Sequence, residues 1–349
     1  MKAKKVIKAI AFILIFCVCF FSVQALLSGD SDTRDYQRIT AFFEQREDSL
    51  DAVFLGSSAT YVFWNPAFAY GEHGITVYPL STARQLLFSA KYLIDDARKT
   101  QPDALYIINL VSVETSNNFT HRILDGYPST LNKFKMIDYI SDMGGYTLTE
   151  RMEFYFPIIR FHSRWSELVA SDFKTDPLLY KGACSYNSFL TKATTVSDSL
   201  WHYEERVPVP AELEQGINDL LDYCEEENVK VLFVVTPQGL KDADKRGQQN
   251  TLIDIVTERG FDVLDVTKVT DEIGLDHNTD YYDRYHTNIH GSLKVTDYIS
   301  RYLIENYGFE DKRADENYSD WSKDTADYYD FVSDSLNQED LALLPSIKK

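Results

Sequence analysis

Cysteine is scarce: the 349 residues contain four, with no Cys-x-x-Cys pair. That excludes a disulfide-dense scaffold, a zinc ribbon and a thioredoxin-like site. Basic residues are too few for a nucleic-acid binder. Lys and Arg total 35 against 54 Asp and Glu, a net charge of −19, and a phosphate backbone is bound by basic surface. Several signatures are missing: a Gly-x-Ser-x-Gly elbow, Gly-x-Gly-x-x-Gly, a phosphate-cradling Gly-Lys-Ser/Thr loop and an EF-hand loop. No internal repeat or low-complexity tract stands out. Long apolar runs are absent except at the start. What remains is 44% apolar and 26% charged, an ordinary globular composition. The length suits one large or two small domains.

The exception runs from Val6 to Leu27 and is broken only by Lys8, Ser22 and Gln24. About 20 apolar residues cross a bilayer's hydrocarbon core. Lys2, Lys4, Lys5 and Lys8 precede the run and Asp30, Asp32 and Asp35 follow it. Positive flanks stay cytoplasmic, so residues 1–28 read as a single-pass anchor with the body outside the cytoplasm. The alternative is a signal peptide cut after Val23-Gln24-Ala25. Either way the body is extracytoplasmic, where Cys184 and Cys224 form a disulfide or remain two buried thiols.

Residues 28–50 read as a stalk and a short helix. Apolar strand signals then cover 51–55, 75–80, 104–110, 229–236 and 261–265. Helical spacing covers 85–99, 211–228, 249–258 and 290–306. Near-continuous apolar strands alternating with helices predict an α/β domain over 29–309. Its core is a doubly wound, flavodoxin-like, five-stranded parallel sheet. Residues 113–209 break the rhythm with a long aromatic insertion after strand three, expected over the carboxyl ends of the strands. Its aromatics, Trp165 and Trp201 among them, form a small core of their own or stack on sugar rings. Residues 310–349 carry 11 acids and 5 bases and read as a solvated acidic tail, with Trp321, Tyr328, Tyr329 and Phe331 as residues that can dock on the body.

Two segments carry chemistry. Gly56-Ser57-Ser58 ends the first strand, and Asp283-Arg284-Tyr285-His286-Thr287-Asn288 precedes the last helix. A serine hydroxyl needs an imidazole to take its proton, and the imidazole needs an acid to fix its tautomer. A serine on a Gly-led turn at a strand end projects from the sheet's top edge. The last loop of a wound sheet returns to the same edge. His286 and His290 stand four apart, as two metal ligands on a helix would, but the HExxH glutamate and a third ligand are missing. No metal or cofactor is therefore expected. His277 reads as solvated, and Arg84 either meets an anionic substrate or pairs with an acid.

Gly56-Ser57-Ser58 with Asp283-x-x-His286-x-Asn288-x-x-Gly291 resembles the SGNH/GDSL hydrolase superfamily over about residues 51–307. The resemblance implies Ser58 as nucleophile, His286 as base and Asp283 as its orienter. Gly56, Ser57, Gln85, Asn109 and Asn288 are the candidates for oxyanion and substrate binding. The pattern departs in two places: Ser57 replaces the acid of Gly-Asp-Ser, and no Gly-x-Asn-Asp block follows strand three, where Asn109 and Ser112 are the nearest polar residues. Ser81-Thr82-Ala83-Arg84-Gln85 looks like the Ser-Gly-Gln turn of envelope relatives. With the anchor, the pattern is similar to membrane-bound, cell-envelope members, of the DltD type in teichoic-acid D-alanylation or of the polysaccharide O-acetyltransferase type. These often work beside a membrane-bound O-acyltransferase. The implied function is serine-dependent acyl transfer or ester hydrolysis on an envelope polysaccharide or teichoic acid. A non-catalytic envelope binding or assembly protein with the same fold is the alternative.

Overall fold

A computed structural model describes residues 2–28, 33–169, 178–184, 190 and 200–342. The flanking Asp30 and Asp32, part of the 113–209 segment with Tyr186 and Phe189, and the last seven residues lie outside the described residues. Helix α1 (Lys2–Ser28) contains the apolar stretch, and Lys4–Gln24 is long and apolar enough to cross a membrane. Helix α2 (Thr33–Phe42) follows. It is no stalk. Its Asp35, Arg38, Ile39 and Phe42 are buried in the body.

Five strands form one parallel sheet: β1 (Ala52–Leu55), β2 (Val77–Tyr78), β3 (Leu105–Asn109), β4 (Val231–Val235) and β5 (Val263–Asp265). Their order is β2-β1-β3-β4-β5, the doubly wound order expected from the sequence. Every residue of β1, β3 and β4 is buried. A strand such as Val231-Leu232-Phe233-Val234-Val235 suits this position, because its branched and aromatic side chains pack on both sides of a pleat. Burying one such side chain contributes roughly 1.5–3 kcal/mol. Pairing Leu55 with Ile108 and Asn109 with Val234 aligns the carboxyl ends of β1, β3 and β4. At the edge, β2 is shorter than the expected 75–80, since Pro79 has no N–H to extend the ladder.

Two helix groups cover the sheet. Helices α3 (Ser58–Phe63) and α4 (Pro66–His73), which follow β1, pack against the last long helix of the sheet domain. The second group is built on α5 (Ala90–Ala97), with α6 (His121–Asp125), α7 (Leu131–Met143), α8 (Leu148–Tyr155) and α9 (Ile158–Phe161) following β3. Helix α10 (Ala211–Glu226) packs on α5, α7 and α11 (Ala243–Glu258). On α10, Leu213, Ile217, Leu220, Leu221 and Cys224 are buried, the face its spacing predicts. The expected helix over 85–99 is broken at its start. Arg84 has φ 52° and Leu86 is extended, so a 3₁₀ turn (Leu87–Ser89) precedes α5. Helix α11 starts earlier than the expected 249, at an Asp242 cap that accepts from the Lys245 N–H. A short turn, α12 (Thr270–Ile273), precedes α13 (Ile289–Tyr307).

The acidic segment after residue 310 is not solvated coil. It forms α14 (Ser319–Ser335) and α15 (Gln338–Ala342). Trp321, Tyr328 and Val332 are buried against α4, with the Asn65 side-chain N–H donating to Tyr328 Oη at 2.7 Å. Thr325 Oγ1 donates to the Ala67 carbonyl. The docking aromatics recur on one helix face, while the acids take the other. Cys184 and Cys224 do not form a disulfide with each other. Burial pushes the Cys224 thiol up to about 12, against the opposing charge of Arg98.

Candidate active site

The site begins where β1 ends. Gly56 has φ 148°, a region L side chains rarely adopt, and a Cβ there would stand 2.4 Å from Thr60 Oγ1 and 2.8 Å from Asn109 Cβ. Only glycine fits this turn. The turn swings the chain through Ser57 into α3, and Ser58 takes the first helical position. Its N–H there has no acceptor within the helix. Gly56 also bridges to Ser81, which brings the 81–85 loop alongside.

The partner arrives from the loop before α13. Tyr281 bridges to Thr287, and the Tyr282 and Asp283 N–H groups both donate to the His286 carbonyl, at 2.9 and 3.3 Å. The Tyr285 N–H donates to Asp283 Oδ1 at 2.7 Å. At one end of the loop, Tyr281 is fully buried and donates to the Pro237 carbonyl at 2.5 Å. At the other, Thr287 Oγ1 donates to the Val62 carbonyl of α3, the helix that Ser58 opens. Gly291 permits the close approach behind it: a Cβ would sit 2.3 Å from the Asp280 carbonyl oxygen.

Ser58 Oγ and His286 Nε2 are 2.9 Å apart. His286 Nδ1 lies 3.0 and 2.9 Å from the two oxygens of Asp283. A relay from hydroxyl to imidazole to carboxylate therefore spans 228 residues of sequence. Burial pushes the Asp283 carboxyl up. The hydrogen bond and charge of His286, with the Tyr285 and His286 N–H groups, outweigh it and hold the carboxyl below its ordinary range.

A cavity of about 340 Å³ opens on this relay. Ser57, Ser58 and His286 line it, with Arg84, Val111, Glu114, Gln238, Lys245 and Gln249. Arg84 pairs with Glu114, Nε to Oε2 at 3.1 Å, so it takes the acid-paired alternative. Lys245 has no ion-pair partner among the described residues. Val111 to Glu114 directly follow β3, and Gln238 follows β4. The rule that ligands bind beyond the carboxyl ends of parallel strands points to both stretches. Nothing in the local sequence marks Lys245 or Gln249, one turn apart on α11.

The remaining candidates do not line the cavity. Gln85 is buried, and its Oε1 accepts from the Thr82 N–H at 3.1 Å. Asn109 is buried beneath the serine turn and donates to Thr236 Oγ1 at 3.1 Å and Thr60 Oγ1 at 3.4 Å. Asn288 caps α13: its Oδ1 accepts from the His290 and Gly291 N–H groups, and its Nδ2 donates to the Thr279 carbonyl at 2.6 Å. Asn109, Asn288 and Gln85 Oε1 brace the site's frame through protein partners, whereas Gln85 Nε2 is buried with no hydrogen-bond partner among the described residues. Neither tryptophan of the 113–209 segment lines the cavity. Trp201 is buried against His277, 4.0 Å between ring centroids, and beside Tyr281 at the base of the histidine loop. His277 is thus stacked and half-buried, where the sequence suggested a solvated side chain. His290 is buried, and among the described residues no three His, Cys, Asp or Glu side chains are grouped to hold a metal ion. No protein-family model matches this sequence, and none of the curated proteins compared with it is a significant match.

Proposed function

We propose that this chain is a membrane-anchored, SGNH-like serine acyltransferase or esterase that acts outside the cytoplasm on a cell-envelope polysaccharide or teichoic acid. The single observation that carries the reading is the 2.9 Å contact between Ser58 Oγ and His286 Nε2, backed by Asp283. The strand order and the apolar α1 agree with it.

In this reading Ser58 Oγ attacks the carbonyl of an acyl donor while His286 Nε2 takes the hydroxyl proton. Asp283 holds the imidazole in the required tautomer and stabilises its cation. The Ser58 N–H donates to the developing oxyanion; one such donor contributes roughly 2.7–4 kcal/mol. Collapse expels the donor's leaving oxygen or sulfur, which takes the proton back from His286, and leaves an acyl ester on Ser58. An acceptor hydroxyl then attacks that ester, its proton passing to His286 and on to Ser58 as the acyl group departs. Water in place of the acceptor gives hydrolysis. Lys245 supplies a positive charge to the cavity of an otherwise acidic protein, which suits an anionic acceptor such as teichoic acid.

The test is labelling of the full chain with a fluorophosphonate. Modification of wild type that is lost in both Ser58→Ala and His286→Ala supports the assignment. Undiminished labelling of Ser58→Ala removes that serine from the role. A wild type that takes no label but binds envelope glycan is the outcome expected of the non-catalytic alternative.

A further inference from the structure

Helix α1 does not stand clear of the body. Its Phe20 ring meets Phe156 edge to face, 6.1 Å between centroids. The Arg164 guanidinium donates to the Leu27 carbonyl near the helix end. The segment long and apolar enough to cross a membrane ends at Gln24. At 1.5 Å of rise per residue, Phe20 lies about 6 Å inside that limit. If the stretch crosses a bilayer, Phe156 is drawn below the edge of the hydrocarbon core with it. Leu27 lies about 4–5 Å outside the same limit, which sets Arg164 and Trp165 at headgroup depth.

Among the described residues, several large apolar side chains around these contacts are uncovered. Leu148, Met152 and Phe156 follow one another at four-residue spacing along α8 and its end, one stripe of a helix. Leu148 is 75% exposed and Trp165 73%, and Ile159 on α9 is exposed as well. Large apolar side chains bared together mark a contact surface. Tryptophan at the level where a span leaves the membrane is the ordinary interfacial anchor.

We infer that the face made by α8, α9 and the 3₁₀ turn His162–Ser166 is immersed in the lipid surface around the exit of α1, so that the body lies on the bilayer. The occupant is lipid, because the face is continuous with the side of the membrane-spanning helix through Phe156. The inference rests on the anchor reading of α1.

The experiment uses the full chain in phospholipid vesicles whose acyl chains carry bromine near the headgroup. Trp64, Trp201 and Trp321 are buried in the body. The difference between wild type and Trp165→Phe therefore isolates the emission of Trp165. The expected result is loss of most of that emission in brominated vesicles and little response to aqueous iodide. Phe12→Trp in the Trp165→Phe background reports on α1 by itself, with bromine placed deep in the chains. Quenching of the residue-12 probe with an unquenched Trp165 overturns the inference and leaves the anchor standing. An unquenched residue-12 probe overturns the anchor, and the inference that rests on it falls too. A Trp165 shielded from both bromine and iodide means that protein covers this face, and the inference is wrong.

Discussion

The serine half of the site and the histidine half are held by different means. Ser58 follows a turn that only glycine can make, wedged against Asn109 and Thr60 at the end of a fully buried strand. His286 sits on a loop whose Asp283 side chain is 44% exposed and whose shape comes from its own backbone hydrogen bonds. The core places Ser58; a small turn places His286, pinned at Tyr281 and Thr287. A position set by the core is coupled to stability. One set by an exposed turn can be altered chemically while the fold persists.

That contrast can be broken in several ways, the largest effect first. Ser58→Ala and His286→Ala each remove a member of the relay, and turnover of an activated acetyl ester should fall by about 10⁴-fold or more in either, with melting temperatures close to wild type. Asp283→Asn keeps the shape but loses the charge that orients His286. A fall in kcat of about 10²–10⁴-fold is expected, again with an unchanged fold by circular dichroism. Gly56→Ala should do the reverse and act through structure. Positive φ and two contacts under 3 Å make a loss of about 2 kcal/mol or more in denaturant unfolding the expected result. A Gly56→Ala protein of wild-type stability would contradict the idea that the core sets the position of Ser58.

Smaller effects sharpen the comparison. Asn288→Ala removes the cap of α13 and should lower stability by about 1 kcal/mol. It leaves KM for the acyl donor unchanged, whereas a substrate-binding asparagine would raise KM. The smallest effect is one of pH. The Asp283 carboxyl is held low in the folded protein, so its contribution to stability is present above the unfolded value near pH 3.9 and disappears as pH falls through the lower folded value. Denaturant midpoints of wild type and Asp283→Asn should differ by a constant amount above about pH 5 and converge in stronger acid. A gap that widens in acid would mean that the carboxylate is not stabilised by its loop.

Much of this frame is legible in the sequence, and for physical reasons. Strands buried on both faces must be apolar throughout, so Val231–Val235 and Leu105–Asn109 stand out without any structure. Gly56-Ser57-Ser58 and Asp283-x-x-His286 are local motifs whose meeting follows from sheet order, because the first and last loops of a wound sheet share one edge. What escapes is what depends on side-chain direction. Asn109 and Asn288 are polar and near the site in sequence, yet each is turned to a protein partner, as is Gln85 through its Oε1 alone. Lys245 reaches the cavity from a helix turn that nothing local distinguishes. The acidic segment after residue 310 reads as tail because its charges dominate the composition. Its aromatics at one helical face decide the outcome instead.

Asp35 carries one more consequence. It is buried just after α1, paired with Arg38 at 2.7 Å and Arg122 at 3.2 Å, and it accepts the Ala83 N–H at 3.0 Å. The first turn beyond the leader is thus a strut under the loop that flanks the serine. A peptidase cut after Ala25 spares that strut, so a released form keeps the support of the 81–85 loop. A recombinant soluble version that starts beyond Phe42 loses it, and the place to trim this protein is dictated by a carboxylate instead of by the end of the greasy stretch.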